Sequence, residues 1–249
     1  MAADATPLRP ELAEAWLRRW DAQQEQYVAD RERRFTVIGD VLGHSLSGRD
    51  RPLVLDLGCG PGSLSARVIR RLPSAQIVGV DNDPLLLALA RSVHPRAARF
   101  VEADLRLPGW SALLGLDREL DAAVSSTALH YLPPQTLAEV YRELAGRMRP
   151  GGVFVNADNL YDEQPAIAAV AAALRRTRVG AERTGRPGGG RPRPNPRWRP
   201  HGRAGGGAAG GGDHRVSASV HGALLRRAGF GQVGPVWQAG DDVVLVAVR

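Results

Sequence analysis

The stretch VLDLGCGPG, at residues 54–62, decides how this chain folds. Its first four residues form a short apolar run typical of a buried parallel strand, and the glycines that follow predict a tight turn at the carboxyl end of that strand. Open α/β sheets bind ligands at this end of their strands. Glycine also lets the backbone take positive φ and approach a ligand closely. The stretch therefore predicts both the first strand of a sheet and a candidate ligand-binding turn.

Strands and helices alternate on both sides of this turn. Apolar runs predict strands at 53–57, 77–80, 99–102, 121–125, 153–156, 232–238 and 243–248, and helical periodicity predicts helices at 11–46, 63–72, 84–92, 134–148, 167–176 and 217–228. Such alternation specifies a doubly wound α/β sheet. Gly240, Asp241 and Asp242 form a turn signal between the last two strands, which should pair as an antiparallel hairpin.

The 249 residues are enough to bury a full core, and their net charge of +7 is unevenly placed. Residues 175–215 carry 11 Arg and two acids, so the rest of the chain has a net charge of −2. This distribution makes nucleic acid an improbable partner of the domain. We expect a cytoplasmic protein, because there is no membrane-spanning run, no secretory signal and only one cysteine.

The glycine spacing separates two classes of cofactor. Gly58, Gly60 and Gly62 follow the pattern G-x-G-x-G, whereas a dinucleotide fingerprint is G-x-G-x-x-G and Ser63 stands where its third glycine belongs. Asp56 would repel a diphosphate but not a cationic sulfonium cofactor that carries an ammonium group. The motif favours the sulfonium cofactor, and an NAD-dependent oxidoreductase is the alternative.

With this D-x-G-x-G-x-G motif the chain resembles the class I S-adenosylmethionine-dependent methyltransferases. The resemblance covers residues 50–160 and the C-terminal hairpin. It implies a Rossmann-like seven-stranded sheet in the order 3-2-1-4-5-7-6, with S-adenosylmethionine as cofactor. It also implies methyl transfer to a small-molecule acceptor by direct in-line displacement, with no metal.

The same resemblance implies the cofactor residues. Asp81 corresponds to the acid that binds the ribose hydroxyls, Asp104 to the contact of the adenine amino group, and Ser125 to the lining of the methyl-donor end. The alternatives are that Asp81 caps the next helix, that Asp104 is a solvated loop acid, and that Cys59 is a packing residue. The complete implied set is Asp56, Gly58, Cys59, Gly60, Gly62, Asp81, Asn82, Asp104, Leu105 and Ser125.

The acceptor side has fewer signals. His130 follows the fourth strand and is the candidate acid or base, unless it only shapes the site. Residues 1–48 are predicted to be a helical lid segment on a methyltransferase domain at 49–249. Its candidate lid residues are Trp20, Tyr27 and Arg34, and the alternative is a plain packing helix.

Residues 180–215 form an irregular Arg/Gly/Pro-rich insertion, since 180–212 alone hold 12 of the 29 glycines without any periodicity. This composition predicts an exposed, irregular excursion. One alternative is an RNA-binding tract on a non-catalytic protein. A further hypothesis is an out-of-frame stretch, because codons permitted for residues 183–189 also encode Asp-Trp-Glu-Ala-Trp-Trp two bases on. In that case an acceptor lid is missing and activity is impaired.

Overall fold

The computed structural model describes residues 9–25, 28, 30–184, 214 and 216–249. The strands are β1 (Leu53–Leu57), β2 (Gln76–Asp81), β3 (Arg99–Glu102), β4 (Leu120–Ser126), β5 (Met148–Asn159), β6 (Gln232–Ala239) and β7 (Asp242–Val248). The helices are α1 (Pro10–Gln24), α2 (Arg31–Ser45), α3 (Ser63–Arg71), α4 (Pro84–Val93), α5 (Pro134–Arg147), α6 (Pro165–Thr184) and α7 (Ala218–Ala228). Short 3-10 helices at Trp110–Leu114 and Leu129–Tyr131 were not predicted, because one turn is too short to show periodicity.

The strands form one sheet in the order β3-β2-β1-β4-β5-β7-β6, which confirms the predicted fold. Strands β1 to β5 run parallel, and β7 is antiparallel to both β5 and β6. Asp242, the first residue of β7, lies opposite Asn159, the last residue of β5. The turn between β6 and β7 therefore reaches the same edge of the sheet as the glycine turn after β1.

Helices cover both faces of the sheet, which explains why its central strands read as continuous apolar runs. On one face, α2 packs Phe35, Ile38 and Leu42 against β1 and β4. On the other face, α5 and α7 pack against a cluster that includes Leu55 and Phe154. The edge of the sheet that carries the glycine turn is thus formed by strands that are buried on both faces.

The single helix predicted at 11–46 is instead two helices, because the chain turns at Asp30, whose φ is 55°. The break lets α1 leave the sheet and pack Ala13 against Leu86 and Leu89 of α4. By contrast, α2 packs into the core of the protein. This half of residues 1–48, which were predicted to form a lid segment, is therefore a core helix. Helix α6 runs on to Thr184, past its predicted end.

The remaining predictions for the insertion concern residues 185–213 and 215, which lie outside the described residues. Within the described part of the chain, no helix is both long and apolar enough to cross a membrane. Those same residues contain no group of three or more His, Cys, Asp or Glu side chains placed to hold a metal ion.

Candidate active site

The three glycines of the turn after β1 serve different purposes. All have positive φ, 66° at Gly58, 52° at Gly60 and 80° at Gly62. A Cβ on Gly58 would lie 2.4 Å from Cβ of Ala128, and one on Gly62 would lie 2.9 Å from Cζ of Phe100, so both glycines are needed for packing. A Cβ on Gly60 would meet only Cδ1 of Leu86, at 3.9 Å. Gly60 is therefore the glycine with room beside it for a ligand.

Asp81, at the end of β2, fastens this turn to the neighbouring strand. Its Oδ2 accepts a hydrogen bond from the Gly60 amide at 2.8 Å, and its Oδ1 accepts one from the Asp83 amide at 2.9 Å. Asp83 itself caps α4, accepting from the amides of Leu85 and Leu86. The alternative that Asp81 caps this helix is therefore wrong. Each carboxylate oxygen has a second lone pair that can accept from a ligand hydroxyl.

Asp56 lies beneath the turn with 1% of its surface exposed. Its Oδ2 accepts a hydrogen bond from Oγ of Ser65 at 2.6 Å. Burial raises the pKa of Asp56 to about 7, and the Ser65 hydrogen bond only partly offsets this effect. The resemblance implied that Asp56 is a cofactor residue, and the structure encloses its carboxyl inside the fold, bonded to Ser65 of α3.

Two other predicted cofactor residues direct their side chains into the interior. The Cys59 sulfur packs against Gly79, where an added Cβ would lie 3.0 Å away, and burial raises the pKa of the thiol well above its usual range. Oγ of Ser125 donates to the Leu57 carbonyl at 2.9 Å and ties β4 to β1. Both side chains are buried at the sheet edge, and the position of Cys59 agrees with the alternative that it is a packing residue.

Asp104, Asn82 and Leu105 lie together where β2 and β3 end. The Asp104 carboxylate accepts from Nε of Arg106 at 2.9 Å and from its Nη2 at 2.6 Å. These hydrogen bonds, with a smaller one from Asn82, lower the pKa of Asp104. Asn82 is exposed and Leu105 is half-buried. The structure brings these predicted residues to one edge, where Asp104 is engaged by a neighbouring arginine.

His130, on the short helix after β4, is paired with a buried carboxylate that the sequence analysis missed. Its Nδ1 lies 2.8 Å from Oδ1 of Asp158, and its backbone amide donates to Oδ2 at 3.2 Å. Burial opposes ionisation of Asp158, but its interactions with His130 and Arg34 outweigh that effect and lower its pKa. The available signal was the pair Asp158-Asn159, polar residues at the end of a strand whose preceding residues are buried.

Arg34 is fully buried, so it connects segments inside the protein and does not project as a lid residue. Its Nη1 donates to Oγ1 of Thr127 at 3.2 Å, and its guanidinium also contacts Asn159 and Asp242. Burial lowers the pKa of Arg34 to about 10. Thr127 has a φ of 57°, an unfavourable value for a β-branched residue, at the end of β4. Arg34 thus ties α2 to the ends of β4, β5 and β7.

Helix α1 lies beside the glycine turn. Trp20 is half-buried and packs with Leu86 and Leu89 of α4. The next residue, Asp21, accepts from Oγ of Ser63 at 3.1 Å, so the end of α1 is fastened to the first residue of α3. This placement is consistent with α1 covering the glycine turn. Tyr27, the remaining predicted lid residue, lies outside the described residues.

Together, the doubly wound sheet, the glycine turn and the polar residues at its carboxyl edge define a Rossmann-like α/β protein with one ligand-binding edge. A family model described as a methyltransferase domain matches residues 54–152. The trans-aconitate 2-methyltransferase of Azoarcus sp. (strain BH72) is 34% identical over 145 residues, which are 58% of this chain and 53% of that relative. The enzyme of the same name from Escherichia coli O139:H28 is 38% identical over 100 residues, 40% of this chain and 36% of that relative.

Solved structures share the fold at lower identity. S-adenosylmethionine-bound CalS10, an amino pentose methyltransferase from Micromonospora echinaspora, has a TM-score of 0.61 and 19% identity, and the match covers 92% of this chain and 96% of that one. An O-methyltransferase family protein from Burkholderia thailandensis has a TM-score of 0.56 and 21% identity, covering 86% of this chain and 55% of that one.

The chain is thus similar to methyltransferases in sequence over residues 54–152 and in fold over most of its length. It spans about half the length, or less, of the curated relatives that it matches.

Proposed function

We propose that this protein transfers a methyl group from S-adenosylmethionine to a small-molecule acceptor by direct in-line displacement. The observation that carries the proposal is the turn at Gly60, which has room for a ligand and is fastened to Asp81 by a hydrogen bond of 2.8 Å. Backbone groups of residues 58–62 would cradle the cofactor, Asp81 would accept from its ribose hydroxyls, and Asp104 would contact its adenine. When bound, the cofactor supplies a methyl carbon made electrophilic by a sulfonium.

Most of the rate acceleration needs no covalent chemistry from the protein. Holding an acceptor in line with the methyl carbon supplies roughly 7–11 kcal/mol of the barrier. The buried hydrogen bonds of Arg34 fix the ends of β4 and β5, where such an acceptor would lie. A rigid edge keeps the acceptor atom aligned and limits the access of water.

His130 is the residue that we assign to the acceptor's proton. Because Asp158 binds Nδ1, the neutral ring carries its lone pair on Nε2. A bound S-adenosylmethionine would supply the methyl carbon to the acceptor's nucleophilic atom and would keep the electrons of the broken carbon–sulfur bond on its sulfur. The acceptor's proton then passes to Nε2 of His130. Base catalysis of this kind contributes about 10²–10⁴-fold, and Asp158 acts as a positioning residue for it.

Two measurements separate cofactor binding from acceptor chemistry. Titration with S-adenosylhomocysteine should give one site per chain, with no comparable binding of NAD⁺. His130→Ala and Asp158→Asn should retain that affinity. Both should lower turnover by about 10²-fold or more, measured as S-adenosylhomocysteine formed with an accepted substrate. Asp158→Asn should also shift the acid limb of the pH–rate profile, which a purely structural role would not do. Full turnover by His130→Ala would remove it from the chemistry.

A further inference from the structure

A cavity of about 490 Å³ opens at the same edge of the sheet as the proposed active site, between α6, the start of α7 and the turn from β6 to β7. Its wall begins at Leu160, two residues after Asp158, and the Leu160 amide donates to the Asp241 carbonyl at 2.8 Å. The cavity therefore lies at the carboxyl end of β5, beginning two residues beyond Asp158.

One wall of this cavity is an apolar stripe on α6. Ile167, Val170 and Leu174 recur at helical spacing and are 49%, 56% and 49% exposed. Exposed apolar residues that share a concave wall are typical of a ligand site. Val243 of β7 continues the apolar surface from the opposite side. The stripe would cover the apolar body of a bound molecule.

The charged side chains that the described residues contribute to the cavity are all acidic. Among the described residues that line it, Asp162, Glu163 and Asp241 are carboxylates, and none is Arg or His. Asp241 is only 5% exposed, and Arg175 binds its Oδ2 at 3.0 Å. Its Oδ1 accepts no hydrogen bond from any described residue. A buried carboxylate oxygen without a donor is costly, and a ligand that brings an N–H would satisfy it.

We propose that this cavity is the acceptor site and that it selects a small molecule with an apolar body and a protonated amine, bound by Asp241. The inference rests on the proposed methyl transfer. Arg175 offsets the charge of Asp241 and Arg178 pairs with Asp30, so Asp162 and Glu163 leave the described lining with a net negative charge. A polycarboxylate such as trans-aconitate would meet like charges in this cavity. The acceptor class therefore differs from the one in the curated relatives' name.

The test uses two probes of similar shape and opposite charge, tryptamine and indole-3-propionate, titrated into the full chain saturated with S-adenosylhomocysteine. Tryptamine should bind at least tenfold more tightly than indole-3-propionate or trans-aconitate. Asp241→Asn should reduce that preference to less than threefold. If S-adenosylhomocysteine itself does not bind, the proposed function fails. If it binds and tryptamine shows no preference, only this inference fails.

A second pair of variants avoids the buried Asp241–Arg175 contact. Val170→Arg places a cation on the exposed apolar wall, so it should weaken tryptamine binding at least fivefold and favour the carboxylate. Val236→Arg is the matched control, because Val236 is 54% exposed on β6 and does not line the cavity. It should leave both affinities unchanged. Equal effects of the two substitutions, or tight binding of trans-aconitate by the unaltered protein, would overturn the proposal.

Discussion

Gly60→Ala should remove cofactor binding while leaving the protein folded. The added methyl group would meet only Cδ1 of Leu86, at 3.9 Å, so it would not clash within the protein. It would instead occupy the space that we assign to the cofactor. The folding cost is that of an alanine at a φ of 52°, about 1–2 kcal/mol. The loss of binding should be at least tenfold in Kd, or about 1.4 kcal/mol.

Two other glycines provide matched controls for this substitution. Gly48 has a φ of 74° with nothing within 4 Å of an added Cβ, so Gly48→Ala measures the backbone cost alone. Gly58→Ala adds to that cost a contact of 2.4 Å with Ala128. Overpacking of this kind typically costs about 1–3 kcal/mol, so Gly58→Ala should be the least stable of the three. Gly60→Ala should match Gly48→Ala in stability.

The assay combines urea denaturation with calorimetric titration of S-adenosylhomocysteine. We expect Gly48→Ala to bind as the unaltered protein does and Gly60→Ala to bind at least tenfold more weakly. Gly60→Val should nearly abolish binding, because a β-branched side chain is larger and stiffer. A stable Gly60→Ala protein with an unchanged Kd would show that this turn serves packing only, and the reasoning would be refuted.

Two further predictions concern buried charges near the site. Because the pKa of Asp56 is raised, this residue stabilises the folded protein fully below its ordinary pKa of 3.8. That stabilisation is lost as the pH rises to about 7. Relative to Asp56→Asn, the unaltered protein should therefore lose up to about 4 kcal/mol of unfolding free energy over that range, and a difference independent of pH would contradict this. Arg34→Met would leave Asp158 and Asp242 without their buried cation. The substitution should lower the free energy of unfolding by about 3–5 kcal/mol at pH 7, measured by urea denaturation. A decrease below about 1 kcal/mol would refute the stabilising role of Arg34.

The fold was predictable because its signals are local and repeated. The apolar runs predicted every strand, and the resemblance carried by the glycine motif implied the strand order, as the sheet confirms. The single N-terminal helix was a wrong prediction, because its apolar spacing continues through Asp30, where the backbone turns. Periodicity records which residues become buried but not whether the chain reverses between them.

The site was only partly predictable, because burial and pairing depend on contacts between distant residues. Nothing local distinguishes Ser125, whose hydroxyl is bonded inside the sheet, from a serine that faces a ligand. The sequence predicted only a turn at Asp241 and Asp242, whereas the structure buries both and pairs them with Arg175 and Arg34. Asp158 was missed for the same reason, since its partner His130 lies on the short helix after β4, distant from it in the sequence.

The most direct test of the account is calorimetric titration of S-adenosylhomocysteine into the unaltered chain and into Asp81→Asn. The substitution replaces the carboxylate by a neutral amide with a single acceptor oxygen, so fewer lone pairs and no negative charge remain for the Gly60 amide, the Asp83 amide and the ribose hydroxyls that we propose Asp81 binds. The account therefore predicts one binding site that weakens by about 1.5–3 kcal/mol, the value of a charge-assisted hydrogen bond. Urea denaturation of both proteins shows whether the weaker binding reflects a loss of fold. No binding by the unaltered chain, or an unchanged Kd in a folded Asp81→Asn protein, would contradict the central claim.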